Sequence, residues 1–336
     1  MKRLYSLLIV LVLSLAACTA EEWAEVAAPD VQPPSEELTP VWLGLEWVPN
    51  TNHTGLYVAQ AQGYYQEQGL DVEIVQAQEG GTVEQLVAAG RLDFGISQQE
   101  SVTQARVEEL PIVSIAAIIQ HNTSGFASRA EEGITGPAEF EGKKYGAFGS
   151  PIERAVIGGL MDCVGADVEE VEFVDIGTTD FFVATARDDV DFAWVFQGWT
   201  GVEAEQRGIP LNMVMINDLD CVPDYYTPVI ITGEDLIAEQ PELVRRFLTA
   251  TSRGYEFAID SPDEAAEILL DAAPELDEDL VRASQRYLAE QYQADASSWG
   301  EQQRNVWQAY AAWMSERELI DRMIDPEAAF TNEFLP

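Results

Sequence analysis

Basic side chains are scarce in this chain: 18 Lys and Arg stand against 59 Asp and Glu, a formal net charge of −41 at neutral pH. That balance argues against a nucleic-acid partner, because phosphate recognition needs clustered Lys and Arg. It also disfavours polyanionic ligands, although one helix N-terminus could still hold a phosphate. The acidity itself reads as a solubility or salt-adaptation trait. Histidine is scarcer, with only His53 and His121, and no Cys/His spacing has the form of a zinc site, so no metal is expected. There is no G-x-S-x-G elbow, no Walker loop, no G-x-G-x-x-G and no Ser-His or Cys-His constellation. Paired carboxylates are plentiful but carry no specificity at this acid content. Neither catalysis nor a cofactor is expected.

Cysteine is also sparse, at three residues, and one of them is informative. Lys2 and Arg3 precede the apolar run Leu7–Leu15, which has the length of a signal h-region. Leu15–Cys18, L-A-A-C, comes at once after it and resembles the bacterial lipobox. Residues 1–17 are therefore expected to be a lipoprotein signal peptide, with Cys18 lipid-modified and the chain held at the extracytoplasmic face of the cell membrane. Removing that segment takes away two basic residues and no acid, so the mature chain would be more acidic still. Residues 18–40 are acidic, contain Pro29, Pro33, Pro34 and Pro40, and show no apolar period, as a flexible tether does. Export permits a disulfide between Cys163 and Cys221, but two buried free thiols fit the sequence equally well.

The chain beyond residue 40 is long and apolar enough for two lobes. Short apolar strands alternate with helix-period segments, the signature of a mainly parallel sheet. Strands are expected near Val41–Trp47, Val72–Ala77, Leu92–Ile96 and Ile112–Ile119, with helices near Thr54–Gln68, Val83–Ala89 and Gln98–Val107. A second series runs strand Lys144–Ala147, helix Pro151–Cys163, strand Val171–Asp175, helix Thr179–Ala186, strand Phe192–Val195, helix Gly201–Arg207 and strand Leu211–Ile216. Pro228–Thr232 reads as a strand returning to the first sheet, and Glu234 to about Met323 as helical. The expected architecture is two α/β lobes, residues 41–122 with 228–336 and residues 123–227. Segments near Gln120–Ser128 and Asp218–Pro228 cross between them, and the ligand cleft lies between the lobes.

The segment Leu45–Ile74 is the most informative about function. Its loop places Trp47, Asn50, Asn52 and His53 where a strand hands over to a helix, the position at which an open α/β sheet holds its ligand. An aromatic face with amides and an imidazole suits a flat heteroaromatic molecule with a polar edge. An ordinary βα connection with one exposed Trp is the plainer reading of the same residues. Helix starts at Thr82, Ser97 (S-Q-Q-E, to Glu100), Ser150 (S-P-I-E, to Glu153) and Thr178-Thr179 either cap helices or offer free N–H groups to a shared ligand. Trp194, Phe196 and Trp199 lie at a strand end and turn, and Tyr225 and Tyr226 in a crossing segment. Alternation is expected to turn one of Trp194 and Phe196 inward; Trp199 and one of the two tyrosines are the better ligand contacts. Ser97, Gln98, Gln120, Asn122, Ser150 and Glu153 complete the candidate polar set. Trp299, Trp307 and Trp313 read as core.

From about Val41 to Phe330 the chain resembles the substrate-binding proteins of ABC transporters related to the pyrimidine synthases of thiamine biosynthesis. The resemblance is carried by W-x-P-N-T-N-H-T-G (Trp47–Gly55), G-Y-Y-Q-E-Q-G-L-D-V (Gly63–Val72), A-A-G-R-L-D-F-G (Ala88–Gly95) and P-E-L-V-R-R-F-L (Pro241–Leu248). It implies the periplasmic binding protein type II fold, two lobes closing by a hinge, with an ABC permease as partner and a monomeric carrier. The synthases use a lysine and a histidine shortly after the L-D-F-G strand and a cysteine-rich run; this chain has Ser97 and Ser101 there, and C-V-P-D-Y-Y in place of the cysteines. That departure argues for transport. Relatives bind thiamine pyrimidine precursors or riboflavin. The uncharged amides and several aromatics favour riboflavin, while Glu153 or Asp224 could hold the amidine-like edge of a pyrimidine precursor.

Overall fold

The structure is a computed structural model that describes residues 38–76, 81–177 and 179–336. The signal segment, Cys18 and nearly all of the tether lie outside the described residues, as does Thr178. The first strand, β1 (Thr39–Leu45), already includes Pro40, so the folded part begins slightly before the expected tether ends.

Two five-stranded sheets share one plan. The first is built from β1, β2 (Leu70–Gln76), β3 (Phe94–Ser97), β4 (Ile112–Ala117) and β10 (Val229–Gly233), in the order β2-β1-β3-β10-β4. The second uses β5 (Ser124–Arg129), β6 (Lys144–Ala147), β7 (Glu172–Asp175), β8 (Phe192–Phe196) and β9 (Leu211–Met215), in the order β7-β6-β8-β5-β9. In each sheet the first three strands run parallel and the fourth is antiparallel to both neighbours. That fourth strand is supplied by the chain just after it crosses from the other lobe: β5 comes after β4, and β10 after β9. The returning strand matches expectation. β5 does not, because S-G-F-A-S-R falls within an expected crossing segment. It is buried nearly throughout, and a Cβ at Gly125 would lie 2.7 Å from the Val214 carbonyl of β9, so only glycine admits this close approach.

The helices lie where hydrophobic period places them: α1 (Thr54–Ala61), α2 (Tyr64–Glu67), α3 (Val83–Ala88) and α4 (Gln99–Val107) on the first series, α5 (Pro151–Val164), α6 (Phe181–Ala186) and α7 (Val202–Arg207) on the second. The single helix expected over Thr54–Gln68 is broken at Gly63, whose φ of +73° is left-handed. The rest comprises α8 (Glu234–Glu239), α9 (Pro241–Asp260), α10 (Pro262–Ala272), α11 (Glu278–Ala289), α12 (Arg304–Glu316) and α13 (Pro326–Ala329). Helix α9 starts on a proline and buries Phe247, which stacks on Phe94 of β3 at 3.8 Å between ring centroids. No described helix is long and apolar enough to cross a membrane.

Helix α12 serves both lobes. Trp307, near its start, packs with Val102, Val229 and Ile231 of the first lobe. Tyr310, Trp313 and Met314 pack with Ile152, Val156 and Phe192 of the second. The C-terminal region expected to belong wholly to the first lobe thus shares its core with the second. Trp299, Trp307 and Trp313 are buried, as expected from the sequence. Cys163, at the end of α5, is disulfide-bonded to Cys221 in the second crossing segment, with their Cα atoms 5.9 Å apart.

Candidate ligand-binding site

The carboxyl end of β1 leads into Glu46, Trp47 and a short 3-10 turn, Thr51–His53. Trp47 is 58% exposed. The polar residues of this loop mostly hold the loop itself. Asn50 caps the turn by accepting from the Asn52 N–H, and its side-chain amide donates to the Val48 carbonyl. His53 is fully buried: its Nδ1 accepts from the Asn50 N–H, which leaves Nε2 to donate to the Glu46 carboxylate at 3.1 Å. His53 and Asn50 are therefore engaged in holding the loop. The half-buried Asn52 side chain enters no hydrogen bond among the described residues and remains available.

At β3 the S-Q-Q-E capping box does not form. Gln98 occupies the N-cap position without a side-chain cap bond, and the buried Ser97 hydroxyl donates instead to Glu84. Ser97 is thus spent on its neighbour, whereas the Gln98 amide accepts only from the Ser101 hydroxyl. Glu100, freed from capping, has a buried Oε2 without a hydrogen-bond partner and enters no ion pair among the described residues. Burial pushes its carboxyl up to about 7; its own backbone N–H opposes this and the Glu84 charge adds to it.

The second lobe presents its own strand ends. The Ser150 capping box is formed: Ser150 Oγ accepts from Ile152 N–H, and Glu153 accepts from Ser150 N–H at 2.6 Å. Glu153 also accepts from the Tyr145 hydroxyl at 2.8 Å and the Phe148 N–H at 3.0 Å, and it is 1% exposed. With three donors engaged, it is a loop anchor rather than the free acid the sequence offers. Phe148, after β6, is 53% exposed and is absent from the candidates that sequence reasoning supplies. Its signal is the same as at Trp47, an aromatic just past a strand end and before a helix cap. Its ring lies 6.3 Å from Trp194 of β8. Trp194 and Phe196 are two apart and share a face, so alternation does not separate them. Trp194 is covered by Phe126 and leaves a buried indole N–H unpaired, while Phe196, at the strand end, is 43% exposed.

The remaining candidates are drawn into packing. Trp199 sits in a π-helical turn, Gln197–Gly201, and its ring joins Tyr57, Leu269 and Val281 of the first lobe. A Cβ at the adjoining Gly198 would come within 2.9 Å of the Tyr287 ring, so this turn is pressed against α11. Tyr225 is 1% exposed and stacks on Tyr310 at 4.2 Å. Tyr226 is 2% exposed, and its hydroxyl accepts from the Gln303 N–H. Neither tyrosine walls an open cleft, because α12, some 80 residues away in sequence, covers both. Gln120 donates to the Glu301 carbonyl, and Asn122 accepts from the Ser124 N–H and hydroxyl. These two hold the first crossing segment.

Two surface grooves lie elsewhere. The larger, about 720 Å³ between α7 and α11, contains no aromatic ring, and its arginines are already ion-paired. The other, about 330 Å³, lies between the second crossing segment and α12. Neither contains Trp47, Phe148 or Phe196.

Two sheets of one plan, joined by two crossing segments and carrying exposed rings at their strand ends, have the architecture of the periplasmic-binding fold. A solved alkanesulfonate-binding protein from Xanthomonas axonopodis pv. citri superposes with a TM-score of 0.67 at 11% identity, over 88% of this chain and 99% of that one. Residues 50–265 match the family described as NMT1/THI5 like, and the chain belongs to that family. It is 29% identical to a formylaminopyrimidine-binding protein of Halalkalibacterium halodurans over 97% of both chains. It is 26% identical to the riboflavin-binding protein RibY of Chloroflexus aurantiacus over 99% of this chain and 98% of that one. A 4-amino-5-hydroxymethyl-2-methylpyrimidine phosphate synthase of Legionella pneumophila is 27% identical over 88% of this chain and 92% of its own.

Proposed function

We propose that this protein is the lipid-anchored solute-binding component of an ABC importer, exported and held through Cys18, and that it carries riboflavin to a membrane permease. The observation that supports it best is the set of exposed rings at or just past the strand ends, Trp47, Phe148 and Phe196, with the unpaired Trp194 N–H and the available amides of Asn52 and Gln98. Stacked rings contribute about 0.5–1.5 kcal/mol each beyond area burial, and several of them favour a large flat guest. The two acids that the sequence offers to a pyrimidine precursor are engaged: Glu153 by three donors, and Asp224 by His121, Asn122 and Tyr225. A formylaminopyrimidine-type ligand is the second reading, favoured by the end-to-end similarity to a protein named for binding it. A carrier is preferred to a synthase because serines stand where the synthases of the resemblance use lysine and histidine, and Ser97 is tied to Glu84.

Titration of the purified chain with riboflavin and with a formylaminopyrimidine, read by tryptophan fluorescence, tests the ligand. Saturable quenching by riboflavin, with the ligand recovered unchanged, is expected. No response to either compound removes the vitamin reading, and conversion of the ligand removes the carrier reading. Labelling by palmitate that is lost in Cys18→Ser tests the anchor.

A further inference from the structure

A carboxyl group buried without a partner is costly unless something arrives to meet it. Glu100, half-buried as a residue, carries one such oxygen. It lies in the first turn of α4, directly after the carboxyl end of β3, in the stretch where an open α/β sheet presents its ligand. Its Oε2 is buried and has no hydrogen-bond partner, and no Lys or Arg pairs with it among the described residues. The titratable groups that face it come from three other elements: Glu84 from α3, Tyr225 from the second crossing segment and Tyr310 from α12. None of them is a cation. Ser97, one turn earlier, satisfies Glu84 and not Glu100.

We infer that Glu100 is the specificity-determining residue of the site, pairing with a ligand edge that carries a donor beside an acceptor. Such an edge occurs on the imide of a flavin ring and on the amino-nitrogen side of an aminopyrimidine. A protonated carboxyl gives and takes one hydrogen bond at an imide, and a carboxylate holds an amidinium-like edge by two. In both pairings the complex contains one proton shared between Glu100 and the ligand. The inference rests on the proposed vitamin-binding function and names the residue that would choose the edge.

Linkage makes it testable. Burial pushes the free Glu100 carboxyl up to about 7. Below that pH the proton is already on Glu100, so the affinity for riboflavin does not change, whereas an aminopyrimidine that has itself taken up a proton must release one. Above it each complex must take up a proton, so the dissociation constant rises about tenfold per pH unit. The tyrosines facing Glu100 are pushed well above 10 and stay neutral over this range.

Calorimetric titration of the full-length chain with riboflavin and with 4-amino-2-methylpyrimidine, between pH 6 and pH 9, is the test. For whichever ligand binds, the wild type is expected to show that break near pH 7. Glu100→Gln keeps a donor and an acceptor but has no proton to lose, so its affinity should stay near the wild-type low-pH value and lose the pH dependence. Glu100→Leu should weaken binding about tenfold or more at pH 6.5. Wild-type affinity and an unchanged pH profile in both variants would overturn the inference alone. Failure of the wild type to bind either compound overturns the vitamin reading and this inference together. If Glu100→Leu does not fold, the pH profile of Glu100→Gln decides.

Discussion

Asp224 Oδ2 lies 2.6 Å from His121 Nδ1, so one residue from each crossing segment meets the other at the hinge. The other oxygen of Asp224 accepts from the backbone N–H groups of Asn122 and Tyr225, and Asp295 meets the second ring nitrogen of His121 at 3.0 Å. The hydrogen bond to Asp224 is the chief reason the imidazole is raised to about 9; burial opposes it, and Asp295 adds to it. A histidine raised in the folded state contributes stability that is fully present below its unfolded value near 6.5 and is lost as pH rises through about 9. Because the ring is 44% exposed, screening reduces this to about 1 kcal/mol. His121→Ala should lower the melting temperature at pH 6 by a few degrees and much less at pH 10. An equal deficit at both pH values would contradict the charged hinge.

Trp199 links the lobes by packing rather than charge. Replacing it with alanine removes a ring from the group formed by Tyr57, Leu269 and Val281, and should cost about 2–4 kcal/mol of stability. Small-angle scattering of Trp199→Ala should show a larger radius of gyration than wild type, with weaker ligand binding. An unchanged radius would show that this contact does not hold the lobes together.

Trp47 is exposed, so Trp47→Ala should leave thermal stability within about 0.5 kcal/mol of wild type. Its loss should weaken ligand binding about two- to twelvefold, the equivalent of one stacked ring, and reduce the amplitude of fluorescence quenching. Phe148→Ala should do the same without the change in amplitude. Full affinity in both variants would place the guest elsewhere.

The Cys163–Cys221 bond spans a sequence separation of 58. A cross-link over such a loop contributes about 2–5 kcal/mol. Reduction, or Cys163→Ala with Cys221→Ala, should lower the melting temperature by several degrees. A midpoint insensitive to reductant would indicate two free thiols in solution.

Most strands are legible in the sequence because strands buried on both faces read as apolar runs, as in I-V-S-I-A-A of β4. β5 is not, since its small residues fill a central position without forming such a run. The site is legible to the extent that it is local. Trp47 and the Ser150 cap stem from neighbours in sequence, and Phe148 carries the same signal. Tyr225, Tyr226 and Trp199 look outward-facing because nothing nearby in the sequence covers them; their partners come from α10, α11 and α12. Glu100 looks like half of a capping box, and only the geometry of Ser97 and Glu84 shows it to be unclaimed.

Helix α12 roots Trp307 in one half of the molecule and Tyr310, Trp313 and Met314 in the other. A wide swing would tear aromatic surface out of one of those beds, so the cheap movement is a small rocking with the helix as axle. If the proposed carrier function holds, a membrane partner would then distinguish a tilt of a few side chains' width, not a gaping mouth from a shut one. A truncation before Arg304 would remove the axle and leave two halves joined through the two crossing segments, with Tyr225 and Tyr226 open to water.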